Sequence, residues 1–166
     1  MKYAVLIGGC NGAGKTTFAR QLLPSRYPDA TFLNADEISR ESPEYRRPIA
    51  AGRELIRRLE RVVDLEETFV VETTLSSRMY LARIARWQRD GYSVVLHFIR
   101  LPSAQHAIRR VAERVSAGGH SVPERDIRRR FDRGLNLFHT AYSTVVDKWY
   151  LWNSTENGMS LEGESE

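Results

Sequence analysis

Residues Gly9-Cys10-Asn11-Gly12-Ala13-Gly14-Lys15-Thr16 match the pattern G-x-x-x-x-G-K-[ST] at every fixed position. A backbone with this glycine spacing can wrap closely enough around a phosphate for successive N–H groups to point inward, and a helix opening at Lys15 adds the favourable end of its dipole. In such a loop Lys15 bridges the β- and γ-phosphates and the Thr16 hydroxyl ligates magnesium. Asn11, Gly12, Ala13, Gly14 and Thr17 complete the expected nucleotide contacts, so ATP and Mg2+ are the expected cofactors. Cys10 lies at a variable position and reads as a small residue, not a nucleophile.

A phosphate loop is shared by kinases, motor ATPases and GTPases, so other residues must separate them. No N-K-x-D guanine-reading motif is present, which favours adenine. The segment Asn34-Ala35-Asp36-Glu37 follows a short apolar run, and Asp36 there can accept the proton of an attacking hydroxyl or cap the helix that follows. Glu72, at the end of another apolar run, is costly to bury unpaired. It reads as a ligand for substrate hydroxyls or magnesium-bound water, or as half of a buried Glu–Arg pair. Thr74 and Arg78 are candidate substrate contacts, against the plainer readings of strand propensity and a solvated surface arginine.

Phosphoryl transfer also needs cations around the migrating group, often from a mobile lid. Residues 109–130 offer two helical stretches, a glycine hinge at Gly118-Gly119, and an arginine-rich sequence that includes positions 109, 110, 114, 128, 129 and 130. With Ile127 and Phe131 facing the core, Arg128 and Arg129 are expected to flank that face and Arg130 to turn away. Arg114, Arg128 and Arg129 are therefore the expected catalytic cations, with His120 in the hinge as a phosphate contact. His97, His106 and His139 read as ordinary helix or strand residues.

Hydrophobic periodicity places these residues on elements. Tyr3–Ile7, Thr31–Asn34, Thr68–Val71, Ser93–Ile99 and Trp149–Trp152 read as five strands. Between them lie helical patterns: one from the phosphate loop stopped by Pro24, one over 45–64 with Ile49 on its apolar face, and one capped by Ser76 or Ser77 and ended by Gly91. A fourth begins near Pro102, and the longest opens at Pro123 and keeps its 3-to-4 spacing to Val145. This alternation predicts an α/β fold of the P-loop NTPase type, a five-stranded parallel sheet with helices on both faces and a helical lid.

The chain has 166 residues and a net charge of +4, but its last fourteen carry four Glu and no basic residue, leaving the rest at about +8. Two units are expected: a kinase domain over 1–153 and a disordered acidic tail over 154–166. Lysine occurs only at 2, 15 and 148. The excess arginine suits phosphate recognition or reflects base composition. One cysteine excludes an internal disulfide, no apolar run is long enough for a membrane span, and no secretory pattern opens the chain, so a cytoplasmic location is expected. Aromatics do not interleave with the arginines, which argues against a nucleic-acid partner.

The segments GGCNGAGKTT (8–17), NADEIS (34–39), VVETTLSSR (70–78) and RVSAGGHSVPERDIRRRFDRGLNLF (114–138) resemble the zeta-toxin-like P-loop kinases, in particular small stand-alone relatives described as predicted ABC-type ATPases. The resemblance implies transfer of the ATP γ-phosphate to a sugar hydroxyl of UDP-N-acetylglucosamine, with Asp36 as base and Glu72 and Thr74 on the sugar nucleotide. It also implies that Arg114 and a second lid residue engage phosphates, and that an antitoxin protein is a possible partner. Where the longer toxins carry an arginine before Thr-Pro, this chain has His120-Ser-Val-Pro, which passes that role to His120, Arg128 or Arg129.

Overall fold

The continuous apolar run near the N-terminus forms strand β1 (Lys2–Gly8), and Ala4, Val5, Leu6 and Ile7 are fully buried because both faces of the strand are covered. In the computed structural model, which describes residues 1–166, the elements after it are α1 (Lys15–Arg26), β2 (Thr31–Leu33), α2 (Ala35–Glu41), α3 (Pro48–Asp64), β3 (Phe69–Thr73) and α4 (Met79–Arg89). Then come β4 (Tyr92–Arg100), α5 (Ala104–Ser116), α6 (Glu124–Thr140), β5 (Lys148–Thr155) and β6 (Gly158–Glu164). The sheet order is β2-β3-β1-β4-β5-β6. The first five strands pair in parallel and β6 pairs antiparallel with β5. The α/β P-loop architecture is as expected, with one more strand than the sequence suggested.

Two apolar clusters sandwich the sheet. Ala4 and Leu6 pack with Leu55, Leu59, Ile84, Trp87 and Phe138 on one face; Val5 and Ile7 pack with Phe18, Ala107, Val111 and Ile127 on the other. The helix α6 contributes to both, so it passes from one face to the other. On the way it crosses the end of β3, where a Cβ on Gly134 would come within 3.1 Å of the Thr74 carbonyl.

Several boundaries differ from expectation. The tail expected to be disordered forms β6: its backbone satisfies the open edge of β5, and the ion pair between Arg100 and Glu162 holds one of its glutamates. The helix α1 runs through Pro24 to Arg26, since a proline in the last turn removes only one ladder bond. The longest pattern stops at Thr140, and a short 3-10 turn over Tyr142–Thr144 replaces its continuation to Val145. Ile49 is 72% exposed, because α3 turns Ala51, Leu55, Leu59, Val62 and Val63 inward instead. The helix α4 starts at Met79, with Arg78 and not a serine at its N-cap position.

Candidate functional site

The phosphate loop links β1 to α1 at the centre of the sheet. Gly14 adopts φ +92°, a left-handed conformation that a side chain disfavours, and thereby sets the entry to α1. Lys15 is only 8% exposed. Its Nζ donates to the Cys10 carbonyl at 2.9 Å and lies 4.0 Å from Glu72 Oε1. Burial pushes the Cys10 thiol up, more than the nearby Lys15 charge lowers it, which keeps it protonated and unreactive. Thr17 sits on the exposed side of α1.

Glu72 ends β3 beside the loop, because β1 and β3 pair in register Ile7 to Glu72. It forms no Glu–Arg pair. Its Oε2 accepts from Thr16 Oγ1 at 2.7 Å and from Asn34 Nδ2 at 2.7 Å. Asn34 is buried and caps α2 with its Oδ1, which accepts from the Asp36 amide at 2.8 Å. Its amide thus locks the start of α2 to the end of β3 and leaves the Asp36 side chain exposed at the cleft. Helix capping is done by Asn34, so the Asp36 carboxylate is not consumed by that role. Thr16 and Glu72 present hard oxygen donors beside the loop, a set that fits Mg2+, which takes one or two protein oxygens and completes its shell with water and phosphate.

A cleft of about 850 Å³ opens in front of these residues, within the range of sites that bury small ligands. Asn11, Lys15, Asn34, Asp36 and Glu72 line it beside the phosphate loop, the exposed Arg46, Ile49, Arg53 and Met79 line its outer part, and Thr74 and the fully buried Tyr80 also contribute to its wall. Burial drives the Tyr80 phenol up to about 12, so it stays a hydrogen-bond donor at neutral pH. Thr74 Oγ1 lies 2.9 Å from Ser76 Oγ. Between them Leu75 is fully buried at φ +53°, a conformation that costs a branched residue about 1 kcal/mol and marks a constrained loop at the cleft wall. Arg78 is exposed and is not among the cleft residues.

The lid side of the cleft is formed by Arg114, His120, Val122, Asp126 and Arg130. The expected glycine hinge is a helix cap: Gly119 N–H donates to the Arg114 carbonyl at 2.8 Å and Gly118 N–H to that of Val115 at 2.9 Å, a Schellman pair closing α5. A Cβ on Gly119 would stand 2.6 Å from Arg114 Cγ, so this glycine lets the arginine lie along the cap, where its Nη2 donates to the His120 carbonyl at 3.2 Å. The arginines after the cap are assigned differently from expectation. Arg128 pairs with Glu124 at 2.7 Å and Arg129 with Asp126 at 3.1 Å, and neither lines the cleft. Arg130, expected to turn away, donates to Asn11 Oδ1 of the phosphate loop at 2.9 Å. Three residues after Ile127, it shares the inward helix face. Arg46, Arg53, Arg114 and Arg130 have no carboxylate within 4.0 Å, whereas Arg128 and Arg129 do. Asn34, Arg130, Tyr80, Arg46 and Arg53 were not singled out from sequence; the N-cap preference of asparagine and the i, i+3 spacing were the available signals for the first two.

Fold and loop together define a P-loop nucleotide-binding domain of kinase-like architecture. Residues 5–133 match the family model AAA_33, described as an AAA domain, and the chain belongs to that family. An uncharacterised protein of Haemophilus influenzae is 29% identical over 133 residues, covering 77% of this chain and 91% of that protein. Among solved structures, one from the PezAT chromosomal toxin-antitoxin system of Streptococcus pneumoniae superposes with TM-score 0.68 at 18% identity, over 99% of this chain and 72% of that one. The complex of AvrRxo1-ORF1 and -ORF2 with ATP superposes with TM-score 0.70 at 14% identity; this chain spans 58% of the AvrRxo1 chain. Deoxyadenosine kinase from M. mycoides with bound dATP gives 0.55 at 14%, over 91% and 90% of the two chains.

Proposed function

We propose that this protein is an ATP-dependent kinase that transfers the γ-phosphate to a hydroxyl of a small phosphorylated acceptor, with a UDP-sugar such as UDP-N-acetylglucosamine as the first candidate. The observation that carries this reading is the convergence of Lys15, Thr16, Glu72 and Asp36 on one cleft whose remaining walls hold four arginines without carboxylate partners. The acceptor oxygen attacks the γ-phosphorus, the bond to the β–γ bridging oxygen breaks, ADP leaves, and Asp36 takes the alcohol proton. Lys15 orients the β- and γ-phosphates, and Arg114 and Arg130 lie where charge on the migrating group is balanced. Thr16 and Glu72 would hold magnesium, which would neutralise charge on the phosphate oxygens.

Arg46 and Arg53 at the outer end suit an acceptor that carries phosphate away from its reacting hydroxyl, while Thr74 offers a hydroxyl to a sugar. The similarity to a toxin-antitoxin structure supports a protein partner of the antitoxin kind, and we assign the activity to the cytoplasm, where its nucleotide substrates are found. The test is an ADP-release assay across UDP-N-acetylglucosamine, nucleosides, sugar acids and polyols, with products read by mass spectrometry. A phosphorylated UDP-sugar is expected. Phosphorylation of an uncharged polyol in preference to every phosphorylated acceptor would contradict the assignment of the outer arginines, and ATP hydrolysis with no phosphorylated product would contradict kinase activity.

A further inference from the structure

Beside the phosphate loop, and not among the residues that line the cleft, one arginine bonds to neutral acceptors alone. Arg110, on α5, donates from Nη1 to Ser154 Oγ at 2.8 Å and to the Gly12 carbonyl at 3.5 Å, and from Nη2 to the Thr155 carbonyl at 2.9 Å. Ser154 is 4% exposed, and Arg110, Gly12 and Thr155 are each partly buried, so these bonds are partly shielded from water. A guanidinium is suited to this because its donors lie in one rigid plane and reach several acceptors at once. No carboxylate lies within 4.0 Å of it; every partner is a neutral acceptor belonging either to the phosphate loop or to the end of β5.

The turn between β5 and β6 is fastened independently as well. Glu156 pairs with Arg109 and lies 3.7 Å from His106 Nε2, both on α5, and Glu162 pairs with Arg100 on β4. On β6, Met159 Cε lies 3.9 Å from the point where a Cβ on Gly14 would stand. Gly12 and Gly14, two of the glycines that shape the loop, thus both face the C-terminal hairpin, Gly12 through Arg110 and Gly14 across the space that a side chain would fill.

We propose that Arg110 is a positioning residue that makes nucleotide affinity depend on the β5–β6 hairpin, by holding Gly12 in fixed relation to Ser154 and Thr155. This rests on the reading that the 9–16 loop binds nucleotide. A loop whose amides are aligned before the phosphates arrive binds without first losing conformational freedom. Removing the guanidinium leaves Ser154 and two carbonyls without their donor and returns that freedom to the loop.

The experiment titrates a fluorescent ATP analogue in the presence of MgCl2 against wild type, R110A, R110K, S154A, the R110A/S154A double variant and R109A, with melting temperatures for each. R110A is expected to raise Kd about 10-fold, and R110K to recover only part of that, since one ammonium cannot reach all three acceptors. S154A raises Kd by a smaller factor, and the double variant binds no more weakly than R110A alone, because both substitutions break one connection. R109A, which ties the same turn to α5 without touching the loop, leaves Kd unchanged. Wild-type affinity in R110A, an equal loss in R109A, or additive losses in the double variant would each overturn the proposal. If R110A does not fold, R110K and S154A decide it: wild-type affinity in both would overturn it. Failure of the wild-type protein to bind the analogue removes the nucleotide reading itself and is seen before any variant is compared.

Discussion

Thr16 Oγ1 donates to Glu72 Oε2 across 2.7 Å, joining the first turn of α1 to the end of the neighbouring strand β3. The same carboxylate is held by Asn34 and faces Lys15, so a single acidic side chain connects the phosphate loop, the start of α2 and the lysine. On the proposed kinase reading, that carboxylate would orient the magnesium shell in a nucleotide-bound state. E72Q keeps the shape but removes the charge. The Mg2+ concentration for half-maximal binding of an ATP analogue is expected to rise about 10-fold or more, measured by titrating MgCl2 at fixed nucleotide. An unchanged Mg2+ requirement would remove Glu72 from that role.

The lid arginines divide into two pairs. R114A and R130A are expected to lower kcat about 100-fold each, the scale of losing one preorganised charge at a transferring phosphate. R128A breaks exposed contacts with Glu124 and Gln105, R129A breaks one partly exposed pair with Asp126, and both are expected to stay within about twofold of wild type. Steady-state kinetics on the four variants checks the division, and a large loss in R129A would contradict it.

Burial lowers the His97 pKa from its ordinary 6.5 to about 4, with a smaller contribution from the Arg26 charge. Its Nδ1 accepts from Trp152 Nε1 at 3.2 Å and its ring stacks on Tyr150, both favouring a neutral imidazole. Between these two values the unfolded chain takes up a proton that the native protein refuses, so stability falls as pH drops from 6.5 towards 4 and this contribution levels off below. The loss amounts to roughly 3 kcal/mol, and chemical denaturation across that range should show it. In H97Q the slope should flatten whatever the absolute stability; an unchanged slope would place the effect elsewhere.

The phosphate loop, its strand and its helix are legible in the sequence because each is specified locally: a continuous apolar run, glycines at fixed spacing, and a lysine opening a helix. Asp36 and Glu72 are legible for a related reason, as polar residues directly after apolar runs. The β6 strand is not, because Met159, Leu161 and Gly163 alternate too weakly among glutamates to announce a strand that exists through its pairing with β5. Arg130 was misplaced by reading the apolar stripe of α6 as Ile127 and Phe131 alone, although position 130 lies on the same face. Arg110 was equally out of reach, since what gives it a role is a contact with residues more than forty positions away.

The central claim is that Asp36 receives the proton of an acceptor alcohol facing the nucleotide's terminal phosphate. D36N, compared with wild type for transfer of label from γ-radiolabelled ATP to the acceptor identified by the screen, tests it most directly. The account predicts at least a 100-fold lower transfer rate with binding of the ATP analogue unchanged. Transfer by D36N at the wild-type rate would contradict it.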